Sequence, residues 1–255
     1  MLKALRLQGI DTFDLDDPRR TLHHRDIILA KPFLKKLYLE WYKRFALECE
    51  PFKNENLIEL GSGGGFLKDV IPNVKTSDIL VLPENDLTFD ALNMPFEDRS
   101  VSAFLMVDVF HHVPDSHKFL SEMHRTLKPG GKIIMNEPWN SAWGSLIYKN
   151  FHHETFNPLG NWTIPSSGPM SDANGALPWI VFQRDLKKFS AEFPDLTINL
   201  IKPHTPLRYL LSGGVSMKAL VPQGSFKLVS GIEKLLSPFT KWFSMFVTII
   251  IEKKK

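Results

Sequence analysis

The chain has a single cysteine in 255 residues, Cys49. That excludes an internal disulfide and a cysteine-based zinc site, and it fits a reducing compartment. A dense block of one charge is also missing. Its 31 Lys and Arg stand against 28 Asp and Glu, and the one basic run is the terminal Lys253, Lys254 and Lys255. A nucleic-acid partner is not expected from that balance. Long apolar runs are absent too. The most apolar stretch, residues 243–251, is far shorter than the roughly 20 residues a spanning helix needs. Its β-branched end reads as a buried strand. The first residues, Met1 to Arg6, lack the apolar core of a signal peptide, so a cytoplasmic protein is expected. No metal is expected: the adjacent His23 and His24 do not share a helix face, and no convergent set of acidic ligands is evident.

What is present is concentrated. Of 15 glycines, four fall in residues 61–65. They follow the apolar run Leu57, Ile58 and Leu60, broken by Glu59. Phe66, Leu67, Val70 and Ile71 come next at roughly helical spacing. The pattern predicts a buried strand, a tight turn and a helix start, whose free N–H groups suit an anion. Glycines there allow positive φ and close approach of a ligand to the backbone. A dinucleotide fingerprint needs glycine at the first, third and sixth positions. Counted from Gly61 the sixth is Phe66, so that fingerprint fails.

Acid-x-Gly-x-Gly-x-Gly, Glu59 to Gly65, resembles instead the first motif of class I S-adenosylmethionine (SAM) dependent methyltransferases. Further matches follow in order. Asp78 lies 17 residues past Gly61 at the end of a second strand, where a carboxylate can bond both ribose hydroxyls. Asp90-Ala91, before Met94-Pro95-Phe96, is similar to the family's adenine-contacting segment. A strong fourth strand, 101–109, runs into His111-His112-Val113. A helix with Phe119, Leu120, Met123 and Leu127 leads to Leu-Lys-Pro-Gly-Gly at 127–131, then a strand ending in Glu137-Pro138. That set is typical of small-molecule methyltransferases, including those of ubiquinone and menaquinone biosynthesis. It covers about residues 56–138.

The resemblance implies an α/β, Rossmann-like, doubly wound sheet of seven strands whose last strand is antiparallel. It implies SAM as cofactor, held by Glu59, Gly61, Ser62, Gly63, Gly65, Asp78, Ile79, Asp90, Ala91, Leu92 and Asp108. A single methyltransferase domain is expected: a helical cover over 1–50, a SAM core over 51–138, a lid and substrate region over 139–182, and a C-terminal half over 183–255. Residues 1–25 read as polar and irregular, and 26–48 as helix broken near Pro32. A sixth strand is expected at 196–201, an insertion at 203–242 with an apolar helix at 225–236, and a seventh strand at 243–252.

The reaction implied is methyl transfer to a small-molecule, glycan or lipid-linked acceptor, on oxygen or nitrogen. A hydroxyl acceptor needs a base, whereas an amine attacks neutral. His111, His112, His152 and His153 are the candidates, with Glu154 placed to orient one imidazole. His111 and His112 have a second reading, as walls of the cofactor pocket. Glu137 points either to the substrate or to a cap on the next helix. Trp139, Trp143, Trp162 and Trp179 crowd the lid region, either over the substrate or as packing between lid and sheet. Apolar residues of the insertion offer peripheral membrane contact. The alternative function is a non-catalytic SAM-binding or interaction protein of the same fold.

Overall fold

The computed structural model describes residues 5–9, 12–168 and 170–255. Seven strands form one sheet: β1 (Leu57–Glu59), β2 (Val74–Asp78), β3 (Leu87–Thr88), β4 (Val101–Val107), β5 (Leu127–Pro138), β6 (Leu196–His204) and β7 (Phe246–Lys253). Their order is β3-β2-β1-β4-β5-β7-β6. Strands β1 to β5 are mutually parallel, and β7 runs antiparallel to both β5 and β6. The sheet reverses its direction of growth between β1 and β4, so the carboxyl ends of those two strands flank the natural ligand crevice. The expected sheet and its antiparallel seventh strand are both present.

The central strands are apolar without alternation because both faces are covered. Leu57, Ile58, Ala103, Phe104, Leu105, Ile133, Ile134 and Met135 are all fully buried. Covering helices have readable local causes. Helix α1 (Pro18–Ala30) starts because Asp17 accepts the Arg19 N–H and Pro18 sits at the first helical position. Pro32 then ends it and begins α2 (Pro32–Cys49). Phe33, Leu34, Leu37, Tyr38, Trp41, Tyr42 and Phe45 bury one face of α2. Helix α3 (Ser116–Thr126) is capped by Asp115, and α4 (Ala142–Phe151) by Ser141. Beyond them lie α5 (Leu186–Glu192) and α6 (Phe226–Leu235).

Three expectations are corrected. The irregular stretch at 1–25 is helical from Pro18 onward; Asp17-Pro18 was the start signal. The helix after the glycines is only a single tight turn, Leu67–Asp69. Pro72 and the start of β2 at Val74 leave no room for more. No helix N-terminus therefore backs the turn, and an anion site of that kind is not built. Strand β4 stops at Val107, because Asp108 takes φ 57, which ends the pleat and which Asp tolerates better than most residues.

The insertion between β6 and β7 is tied down by charge. Glu233 of α6 is buried and accepts the Leu207 and Arg208 backbone N–H groups (2.9 and 2.7 Å) while its other oxygen takes the Arg208 guanidinium. Lys31, at the α1–α2 junction, donates to the carbonyls of Ser212, Gly214 and Met217. Removing one partner of a buried pair leaves the other unpaired, at about 3–5 kcal/mol. Glu233→Ala should cost about that much, read as a lower urea midpoint, while the more exposed Lys188→Ala stays near wild type.

Candidate functional site

At the carboxyl ends of β1, β2 and β4 lies a cavity of about 590 Å³. That is within the roughly 300–1,000 Å³ of small-molecule sites. Every residue named from the sequence as a cofactor or catalytic candidate lines it: Glu59, Gly61, Ser62, Gly63, Gly65, Asp78, Ile79, Asp90, Ala91, Leu92, Asp108, His111, His112, His152 and His153.

The glycine turn is built by contact as much as by φ. Gly61 has φ 57, and a Cβ there would stand 2.6 Å from Val109 Cγ2. Gly63 has φ 46 and donates its N–H to Asp78 Oδ2 at 3.0 Å. At Gly64 a Cβ would meet the Arg25 backbone at 2.7 Å, so α1 lies directly on the turn. Asp78 also accepts from Leu80 N at 2.9 Å, and burial raises its pKa against those backbone bonds. Asp90 accepts from Leu92 N at 2.8 Å, which holds the 90–92 segment in a tight turn against the cavity. Glu59 is buried, and its Oε2 has no hydrogen-bond partner among the described residues. Burial, with Asp78 adding to it, pushes the Glu59 carboxyl up to about 8. Burial likewise pushes Asp108 to about 8.

The histidine half is organised by Glu137. This fully buried carboxylate neither meets the cavity nor caps α4. Its Oε1 accepts the Val109 and Phe110 N–H groups at 2.9 and 2.8 Å, and its Oε2 lies 2.8 Å from His111 Nδ1. His111 Nε2 then faces Glu154 Oε2 at 3.3 Å. Burial alone would drive the proton off His111, but Glu137 and Glu154 outweigh it and hold its pKa well above the usual range. His112 donates its Nδ1–H to the Asp172 carbonyl, 3.0 Å away, and burial lowers its pKa to about 4. Since a carbonyl only accepts, that contact puts the Nδ1 proton on His112. His152 and His153 flank the same Glu154 at 3.6 and 3.8 Å.

The sequence missed several wall residues. Thr21 and His24 of α1 line the cavity, as do Tyr38, Tyr42 and residues 213–217 of the insertion. Of the lid aromatics, Tyr148, Phe151 and Phe156 line it, whereas none of the four tryptophans does. Trp143 and Trp162 spend their indole N–H on the Pro206 carbonyl and Asp185. They are packing.

A sheet in this order, with a glycine turn after β1 and carboxylates at the ends of β1, β2 and β4, defines a class I methyltransferase domain. The comparisons agree. Residues 59–135 match the family model described as a methyltransferase domain. A demethylmenaquinone methyltransferase of Symbiobacterium thermophilum is 27% identical over 207 residues, 70% of this chain and 80% of that one. One from Thermus thermophilus is 34% identical over 77 residues, 29% of this chain and 34% of that one. A SAM-dependent methyltransferase structure from Archaeoglobus fulgidus superposes with TM-score 0.50 at 16% identity, covering 85% of this chain and 94% of that one. The match over residues 59–135 and these relatives support a class I SAM-dependent methyltransferase that acts on small molecules, with SAM as its cofactor. The unpaired Glu59 oxygen suits that cofactor, whose amino-acid part carries an ammonium.

Glu59 makes the cofactor-free chain pH-sensitive. Its folded pKa is raised above the ordinary carboxylate value of 4.5, so it favours the folded state at low pH and loses that contribution as pH rises through about 8. Unfolding free energy without SAM should therefore decline between about pH 5 and pH 8. Glu59→Gln should flatten that decline in urea titrations across the range; an unchanged slope would show that Glu59 ionises normally.

Proposed function

We propose that the chain transfers a methyl group from SAM to a hydroxyl oxygen of a small, largely apolar acceptor held in the histidine half of the cavity. When bound, SAM supplies a methyl already activated by the positive charge on sulfur. Glu59 and the backbone of Gly61, Ser62, Gly63 and Gly65 are assigned to its amino-acid part, and Asp78 with Ile79 to the ribose. Asp90, Ala91 and Leu92 take the adenine, and Asp108 closes the site beside the turn. The carrying observation is the gathering of His111, His112, His152 and His153 around Glu154, on the same cavity as the glycine turn. An amine acceptor needs no such wall, since it attacks neutral; a hydroxyl must lose a proton. Glu137 fixes the His111 ring so that Nε2 faces Glu154, at the head of the cluster. The proton passes to the cluster around Glu154 and leaves along His152 and His153, which stand nearer to solvent. Tyr148, Phe151 and Phe156 supply an apolar wall for the acceptor's body.

The insertion supports a membrane-borne source for that acceptor. Leu228, Ile232 and Leu235 on the outer face of α6 are exposed, as are Phe239 and Trp242 just beyond. Lys227, Lys234 and Lys241 are exposed among them, and Glu233, the single acid of this stretch, is buried against Arg208. An apolar face fringed by lysines fits an anionic lipid surface. The same insertion lines the cavity through Leu210 and residues 213–217.

Two outcomes are expected. With hydroquinone and phenol acceptors, His111→Ala should reduce the turnover rate, read as S-adenosylhomocysteine release, about 10²–10⁴-fold. Its SAM Kd by calorimetry should stay unchanged. A weakened Kd with normal turnover would make His111 a pocket wall instead. Wild-type chain should sediment with phosphatidylglycerol vesicles, and Leu228→Glu/Leu235→Glu should stay in the supernatant. Absence of wild-type pelleting would contradict the membrane source.

A further inference from the structure

Beyond holding the acceptor, the histidine cluster has the donor geometry of a metal site. His111 Nε2 lies 3.3 Å from Glu154 Oε2, and His112 Nε2 lies 3.6 Å from Glu154 Oε1. One ligand atom from each of the three residues fits within 4.8 Å of the other two. Around a metal with bonds of about 2.0–2.2 Å, neighbouring donor atoms stand about 3–3.5 Å apart. Hydrogen bonds of good geometry would be shorter.

The far side of each ring strengthens the case. His111 Nδ1 is engaged by the Glu137 carboxylate at 2.8 Å and His112 Nδ1 by the Asp172 carbonyl at 3.0 Å. Histidines that ligate metals nearly always give their other ring N–H to a carboxylate or a backbone carbonyl, which fixes the tautomer and aims the lone pair. Here both partners are present, one of each kind. With both Nδ1 atoms donating to those partners, the Nε2 atoms of the two rings and the Glu154 carboxylate converge on one point. Such a set repels itself unless a cation, a proton or a metal, sits at the centre. The convergence has a structural origin. His111 and His112 sit on the single tight turn Phe110–His112, their ring centroids 4.3 Å apart, and Glu154 comes from the loop after α4 to lie across both.

We propose that His111, His112 and Glu154 bind one divalent transition-metal ion of the zinc, iron(II) or cobalt(II) kind. Two imidazoles and one carboxylate select such ions over magnesium and calcium, which prefer all-oxygen shells. His152 and His153 lie near the same carboxylate, at Oε2 and Oε1, and form a second set with it, so they are available as further ligands. The metal's function rests on the proposed hydroxyl acceptor: positions left open toward the cavity would take its oxygen. Coordination lowers the hydroxyl's pKa, and its proton leaves to a flanking imidazole of the 152–153 pair. The binding itself is independent of that role.

The test uses tag-free full-length chain, stripped with EDTA and desalted. Zinc and cobalt(II) are titrated separately by calorimetry, bound metal is counted by elemental analysis, and the cobalt visible spectrum is recorded. SAM affinity is measured on every variant as the check of folding. Wild type should bind one ion per chain, with magnesium failing to compete. His111→Ala, His112→Ala and Glu154→Gln should each lose stoichiometric binding, and Glu137→Gln should weaken it about 10- to 100-fold through the ring it holds. His23→Ala, outside the cavity wall, should bind as wild type. Failure of the wild type to bind, or equal binding by the His111→Ala/Glu154→Gln double variant, would overturn the site. Methyl transfer to hydroxyl acceptors that persists in verified metal-free chain would overturn the metal's role while leaving the acceptor reading intact. Stoichiometric metal binding without any transfer to hydroxyl acceptors would do the reverse.

Discussion

The site depends on one buried carboxylate. Glu137 ends β5 with no exposed surface, so its oxygens must be satisfied from within the protein. The turn after β4 provides the donors: two backbone N–H groups and the His111 ring. Meeting that demand curls the chain back at Asp108, which accepts a positive φ. The same curl sets Val109 against Gly61, where no side chain would fit. A single polar requirement at the end of β5 thus fixes both halves of the cavity, the glycine turn on one side and the histidines on the other. The cost of leaving such a group unpaired, about 1–3 kcal/mol or more for a charge, is what makes the arrangement stiff.

The rest of the chain closes what this knot opens. Helix α1 presses its backbone onto Gly64, and the insertion is drawn to the α1–α2 junction by Lys31. Walls contributed by residues near 20, 150 and 215 come from three distant parts of the sequence. They deepen an open crevice of the sheet into a partly covered cavity. Their mix of tyrosines, histidines and aliphatic groups differs from the carboxylate-rich end where the cofactor is assigned. With the cofactor assigned to one end and the acceptor proposed at the other, the two would lie in line, as group transfer requires.

Much of the core was legible because its signals are local. Glu59 to Gly65 announces a strand and a turn, and Leu127 to Gly131 announces the next strand. Both carry glycines that contact alone makes necessary. Helix α1 carries a start signal in Asp17-Pro18, but its polar residues show no apolar face that would mark it as a helix. The role of Glu137 was hidden because it depends on a backbone turn 27 residues earlier. The crowded tryptophans left two readings open, and the packing one holds: none lines the cavity, and the indole N–H groups of Trp143 and Trp162 bond within the protein. Glu154 joining His111 and His112 could not be read, since a loop of no regular pattern places it there.

A crystal structure with S-adenosylhomocysteine bound tests the central claim most directly. If Glu137 sets both halves, the amino-acid part will lie on residues 59–65, the ribose toward Asp78, and the sulfur will point to the side of His111 and Glu154. An adenosine lying among the histidines, with the sulfur turned toward Asp78 or solvent, would contradict the account.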